Sequence, residues 1–380
     1  MDTKKLFYNL DYWLIVPVFI LSIFGIICIG SATHINLGES PATYYSQMVW
    51  FAIGIAIMFG AIFLNYQFLS QYYLWLYVIN ILLLIAVLIV GRNVNGATRW
   101  LYIGGLGIQP SEFAKIIIIF CLAKLIDKNR QEINNISILA FIAAFVLIPI
   151  FLIQKQPSLS ASLVLLAVLV VELFVAGINY KYILIALMVI IPILAFICWD
   201  VQNEPPIIVN KLLASHQITR IKTFLNPVEG SNEYYQTIKS INAIGSGKMM
   251  GKGLYQGTLN QLSYLPEPHN DFIFSVIGEE FGFIGCISVL ILEFFVVFRC
   301  ILIAVSCRDS FSQLIVAGIA GMIAFQVFVN TGVATSILPN TGMSLPFVSY
   351  GGSSMWSNMA SIGLVLNIGL KRSKSLFEGV

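Results

Sequence analysis

Charge is scarce in this chain. Only ten per cent of its 380 residues are Asp, Glu, Lys or Arg, and the formal net charge is +3. The cations are dispersed and form no run interleaved with aromatics, which excludes a nucleic-acid partner. Histidine is scarcer still: His34, His216 and His269 are too scattered for a zinc site. The six cysteines (Cys28, Cys121, Cys198, Cys286, Cys300 and Cys307) form no C-x-x-C pair, and most lie inside apolar runs. A thiol there packs as a small hydrophobe rather than as half of a disulfide or a metal ligand. A nucleotide-type phosphate loop is missing too. "GSGKMMGKG" at 245–253 looks like one, but Lys248 precedes Met249 and Lys252 precedes Gly253, where Ser or Thr is needed. Its two cations on glycine turns remain compatible with a polyanionic headgroup.

What the chain does have is hydrocarbon. Fifty-eight per cent of its residues are hydrophobic, and the mean hydropathy is +0.88, outside the range of soluble globular chains. Apolar stretches of roughly membrane-spanning length fall at about 12–32, 45–64, 72–91, 111–126, 136–153, 159–177, 181–199, 271–304, 312–336 and 351–371. Lys4 and Lys5 precede the first in the manner of a signal peptide, but its length and the lack of a clean cleavage pattern predict a retained helix. The expectation is an all-α polytopic membrane protein, one domain over 1–380, with about ten transmembrane helices and a long extracellular loop, about 200–270, between the seventh and eighth. Both termini are then cytoplasmic. Lys4, Lys5, Lys124, Lys128, Arg130, Lys181, Arg299, Arg308, Lys371, Arg372 and Lys374 lie on the inner side, against Arg92, Arg99 and Lys155 on the short outer loops. The long loop predicts short amphipathic helices at the outer interface.

Polar groups in such a chain need a reason. "LPEPHNDFIFSVIGEEFG" at 265–282 carries Glu267, His269 and Asp271 up to an apolar segment, with Glu279 and Glu280 about 12 Å deeper at 1.5 Å per residue. Asn270 reads as an N-cap, which puts Asp271 in the first helical turn, where stabilising the helix dipole would suffice to explain it. A carboxylate beside apolar walls is also one whose pKa rises toward the range of a general base. Glu279 and Glu280 read as a buried structural network, with Gly278, Gly282 and Gly285 allowing close packing. Glu112 and Lys115, three apart on one helical face, can pair. Arg99, beside Trp100, could bind phosphate or simply anchor at the interface, and Lys155 could snorkel. "LPNTGMSLPFVSYGGSS", which includes Ser349, joins the last two spans without helix, and such backbone must line a cavity or be buried in protein.

Five segments in order, "QPSEFAK" at 109–115, "FLNP" at 224–227, "GKG" at 251–253, "LPEPHNDFIFSVIGEE" at 265–280 and "LPFVSYGGSS" at 345–354, make the chain resemble the SEDS family (RodA/FtsW/SpoVE: shape, elongation, division and sporulation proteins) from about Tyr12 to Arg372. The resemblance implies a peptidoglycan glycosyltransferase of the bacterial cytoplasmic membrane. Such an enzyme polymerises lipid II into β-1,4 glycan on the outer face, usually beside a class B penicillin-binding protein. It places the family's essential aspartate at Asp271, and puts Arg99, Glu112, Lys115, Lys155 and Arg220 in or beside segments that line the central cavity. Departures are Ser158 where the family commonly has aspartate, Asn270 for a usual threonine, and Lys248 within a glycine run. Asp271 is then expected to act as general base, with Arg99, Lys155 and Arg220 near the pyrophosphates and Glu267 and His269 near the substrate. No dedicated metal motif is present, although a divalent cation (Mg or Mn) could assist. The rival readings are a flippase for a lipid-linked precursor, suggested by buried charges and broken helices, and a non-catalytic scaffold for a penicillin-binding protein.

Overall fold

A computed structural model describes residues 10–33, 42–94, 97–104, 106–203, 209, 215–226, 232–265 and 267–371. Lys4, Lys5, His34, Pro266, Arg372 and Lys374 lie outside the described residues. Each predicted apolar segment is a helix: α1 Tyr12–Thr33, α2 Ala42–Ile62, α3 Tyr73–Val90, α4 Pro110–Lys128, α5 Ile136–Lys155, α6 Leu159–Ala176 and α7 Tyr180–Asp200. The long connection holds α8 Ser215–Leu225 and α9 Asn232–Ser246, and α10 Ile273–Val305, α11 Ser310–Ala334 and α12 Gly352–Lys371 complete the chain. One-turn helices at Tyr66–Leu69 and Thr258–Gln261 stay unlabelled. Eight helices among the described residues are long and apolar enough to cross a membrane; α4 and α12 are not. Both are interior. α4 carries Glu112, Lys115, Lys124, Asp127 and Lys128, and α12 buries most of its residues, including Ser353, Ser357, Asn358, Ser361 and Asn367. A helix surrounded by other helices has no lipid face to keep apolar.

The remaining elements position one end of the bundle. Between α3 and α4 the chain forms a small antiparallel sheet, β1 Arg92–Val94, β2 Ala97–Ile103 and β3 Leu106–Ile108, in the order β1-β2-β3. Arg92 pairs with Trp100, and Leu101 with Ile108. α7 buries only Asp200, so nearly its whole surface is available to lipid. The two short helices expected in the long connection are present, and α9 packs on the bundle. The Ser240 hydroxyl lies 2.6 Å from that of Ser275 on α10 and donates to the Ala334 carbonyl at 2.7 Å, which docks α9 onto α10 and α11.

α10 is broken where sequence reading expects a continuous helix. Gly282 adopts φ +66°, ψ −160°, a conformation open essentially to glycine alone. Residues 247–253 enter the break. The amides of Lys252 and Gly253 donate to the carbonyls of Glu279 and Glu280 at 3.0 and 2.9 Å, and the carbonyls of Lys248 and Met249 accept from Phe283 and Ile284 at 2.8 and 3.2 Å. The glycine-rich run therefore completes a helix's broken hydrogen bonds, and its backbone is not free to cradle an anion. Glycine is required because the partners touch: a Cβ on Gly251 would lie 2.1 Å from the Glu280 carbonyl oxygen.

Candidate active site

A cavity of about 320 Å³ opens among the sheet, the first turns of α4, α6 and α12, the α11–α12 connection and α8. Asp271 lies on its wall, half-buried, in the turn before α10. This corrects the expected cap: α10 begins at Ile273 after Phe272, and the Asn270 side-chain Nδ2 instead donates to Glu267 Oε2 at 2.7 Å. Asp271 is therefore not spent on the helix terminus. Its backbone is held from the far side of the sequence. Asn330 Nδ2 on α11 donates to the carbonyls of Asp271 and Met343 at 3.0 and 2.7 Å. Ser349 Oγ donates to the Asn270 carbonyl at 2.8 Å and accepts from the Leu345 amide at 2.8 Å, and the Tyr350 amide donates to the His269 carbonyl at 2.9 Å. The non-helical α11–α12 connection thus fixes the three residues that end at the carboxylate.

Burial pushes the Asp271 carboxyl up to about 6; Arg220 and Arg99 pull it back, and Glu267 adds to the rise. Arg99 is lowered by burial and by Arg220, with Asp271 offsetting part of this. Its Nε donates to the Gln156 carbonyl at 3.0 Å and its Nη2 to the Pro157 carbonyl, so the edge expected to grip phosphate bidentately is held by backbone while the charge remains in the cavity. At the deep end Lys115, 2% exposed, pairs with Glu112 at 2.9 Å. Ser357 Oγ, donating to the Glu112 carbonyl at 2.8 Å, ties α12 to α4 there. The lining holds three cations, Arg99, Lys115 and Arg220, against two carboxylates, Glu112 and Asp271. Such a water-facing pocket favours an anion.

Other expected residues lie elsewhere. Lys155 is exposed, its ammonium 5.4 Å from the centre of the Phe151 ring, and is absent from the cavity lining. Glu267 and His269 sit outside the lining, 3.9 Å apart, with the His269 ring edge-on to Tyr350. Glu279 is fully buried away from the cavity. It accepts from Lys252 Nζ at 2.7 Å and from the amides of Leu259 and Asn260 at 2.8 and 3.0 Å. Glu280 accepts from Ser31 Oγ at 2.5 Å. Ser158 precedes α6 without a side-chain cap, one residue beyond the Pro157 carbonyl that Arg99 holds. Among the described residues no three His, Cys, Asp or Glu side chains converge as a metal site. Of the two carboxylates in the cavity lining, Glu112 is tied to Lys115. Asn330 and Gln326, which reach the site from α11, carried no signal in the sequence beyond being amides inside an apolar helix.

A polytopic helical bundle with a charged cavity at one end, beside a helix broken by an inserted loop, defines a multi-pass membrane protein with a candidate ligand site. The comparisons sharpen this. The family model of the FtsW/RodA/SpoVE cell cycle proteins matches residues 12–374. The probable peptidoglycan glycosyltransferase FtsW of Trichlorobacter lovleyi is 36% identical, covering 95% of this chain and 94% of the relative. Stage V sporulation protein E of Bacillus subtilis is 33% identical over 97% and 98%. A chain from a peptidoglycan synthase complex solved for its structural coordination of polymerization and crosslinking superposes with a TM-score of 0.79 at 30% identity, over 96% and 99% of the two chains. The rod shape determining protein RodA of Thermus thermophilus gives 0.68 at 28%, over 96% and 98%. The chain belongs to the FtsW/RodA/SpoVE, or SEDS, family. It is a multi-pass bacterial membrane protein and a glycosyltransferase.

Proposed function

We propose that the chain polymerises lipid II, the polyprenyl-pyrophosphate-linked disaccharide peptide, into β-1,4 glycan strands, with Asp271 as general base. The observation that carries this reading is the placement of Asp271: a carboxylate lifted to about 6, free of capping duty, clamped by its backbone to two other elements, and facing a net cationic cavity. Asp271 takes the proton of the acceptor sugar's 4-hydroxyl as that oxygen attacks the anomeric carbon of the lipid-linked donor. The C–O bond to pyrophosphate breaks with inversion, and the pyrophosphate leaves with the bonding pair. Arg99 and Arg220 repel one another across the cavity, and an arriving pyrophosphate relieves that repulsion while they neutralise its growing charge. Proton transfer contributes roughly 10² to 10⁴ in rate; holding two lipid-anchored sugars in line supplies much of the rest.

The cavity end carries Arg92, Arg99 and Lys155 on short connections, and the opposite end Lys124, Lys128, Arg130, Lys181, Arg308 and Lys371. The positive-inside rule therefore turns the cavity outward and both termini into the cytoplasm. A class B penicillin-binding protein is the partner that would cross-link the product, in keeping with the synthase complex this chain resembles. Purified protein given lipid II, with and without a cognate penicillin-binding protein, tests the reading. Glycan chains abolished by Asp271→Asn support it. Translocation of lipid II without chains would make the protein a flippase, and neither activity would leave a scaffold.

A further inference from the structure

Two amides stand four residues apart on one face of α11, Asn330 and Gln326, which puts Gln326 about 6 Å, one turn, further into the bundle than Asn330. Asn330 Nδ2 is engaged by the Asp271 and Met343 carbonyls. Gln326 has no such task. It lines the cavity, is 2% exposed, and its Oε1 has no hydrogen-bond partner among the described residues. Thr341 repeats the pattern: it lines the same cavity, is 8% exposed, and its Oγ1 is likewise unpaired. It precedes Gly342, where an added Cβ would lie 3.3 Å from Asp271 Oδ2. Among the described residues of the lining, only these two carry a buried side-chain atom without a partner. Such a group is destabilising until a ligand or water satisfies it.

The missing partner is not the pyrophosphate. A carbonyl oxygen only accepts, so it gains nothing from phosphate oxygens and needs an N–H or O–H donor. A carboxamide offers an acceptor on one side and two donors on the other, and a half-turn of the group exchanges them; its full complement is another amide. Both sugars of lipid II carry one, the 2-acetamido group. Trp50 and Tyr350, with ring centroids 4.9 Å apart, line the same cavity and supply apolar surface for a ring face and an acetyl methyl. At about 320 Å³ the cavity is at the small end of ligand sites, the scale of one reacting ring rather than of a strand. We infer that Gln326 is a specificity-determining residue: it reads the 2-acetamido group of the sugar ring whose 4-hydroxyl faces Asp271, while Thr341 holds a hydroxyl of the same ring.

The inference rests on the glycan-polymerase reading and names what its acceptor must carry. The probes are lipid II and an analogue whose terminal N-acetylglucosamine is replaced by glucose, so that a 2-hydroxyl stands where the acetamido group was; each is given to the full chain in nanodiscs in the polymerisation assay above. Wild type should prefer lipid II in kcat/KM by about tenfold to a hundredfold, the range for a buried group left unpaired. Gln326→Met, which keeps the length of the side chain and discards the amide, should bring that ratio close to one. It should also unfold no lower than wild type, because the carboxamide oxygen it removes has no partner within the protein. A glutamine with a merely structural role would change the rates on both lipids alike and leave the ratio standing. Equal use of the two lipids by wild type, a ratio that survives in Gln326→Met, or a Gln326→Met protein that unfolds well below wild type or fails to fold, overturns this inference alone. Wild type that makes no glycan from lipid II fails the earlier reading instead.

Discussion

Asp271→Asn should make the protein more stable while it destroys activity. The carboxyl's ordinary value is 3.8 and the fold holds it at about 6. The native state therefore resists the charge that the unfolded chain carries freely, and the linkage sign is that of a cost. The cost is absent below pH 3.8, grows as pH rises, and is complete above about 6. At 1.36 kcal/mol per unit the shift corresponds to roughly 3 kcal/mol, and screening by cavity water reduces it toward about 1. Asparagine keeps the shape and discards the charge. Thermal unfolding in detergent micelles should show the variant above wild type at pH 8 and level with it at pH 4. A variant less stable than wild type at pH 8 would mean that attraction to Arg99 and Arg220 outweighs desolvation, and the case for a poised base would collapse.

Other substitutions probe the scaffold around that acid. Glu279→Ala strands Lys252 and the amides of Leu259 and Asn260. Breaking such a buried pair should cost about 3 to 5 kcal/mol and expose 252–262 to protease, read by limited digestion. Gly282→Ala forces a Cβ to within 2.3 Å of the Gly251 nitrogen at φ +66°; the expected result is loss of monodisperse protein on size exclusion, whereas Gly60→Ala, where a Cβ meets open space, should be neutral. Asn330→Leu unties the carbonyls of Asp271 and Met343. It should lower kcat for glycan synthesis by about tenfold or more with KM little changed, since a 1 Å misplacement can cost about 10² in rate.

The helices were legible because a membrane imposes a local rule, about 20 apolar residues per crossing. α1 to α7 and α10 to α12 all lie where the apolar runs predict them. What was not legible was made by contacts between distant segments. Gly282 looked like a packing glycine, yet it breaks α10 so that residues 247–253 can enter, and no periodicity reports an insertion from some 30 residues away. Asn270 looked like an N-cap because cap preferences are local; Ser349 and Tyr350, nearly 80 residues on, hold the backbone in a turn there, and the helix starts only at Ile273. Glu112 and Lys115 could be paired from helical spacing alone. Arg220 could be brought toward Asp271 only by resemblance, because 51 residues and two helices separate them. Lys155 shows the opposite limit: it borders the right segments, but its ammonium turns to Phe151.

Whether an ionised Asp271 accepts the proton of the attacking hydroxyl is read from the pH dependence of kcat/KM for lipid II polymerisation, because that ratio reports the free enzyme's essential base. The predicted profile is flat above a midpoint near 6 and falls about tenfold per pH unit below it, with Asp271→Asn lying at least about 10² lower and losing the inflection. A wild-type rate that stays level down to pH 5, or an Asp271→Asn protein that keeps the wild-type profile, would contradict it.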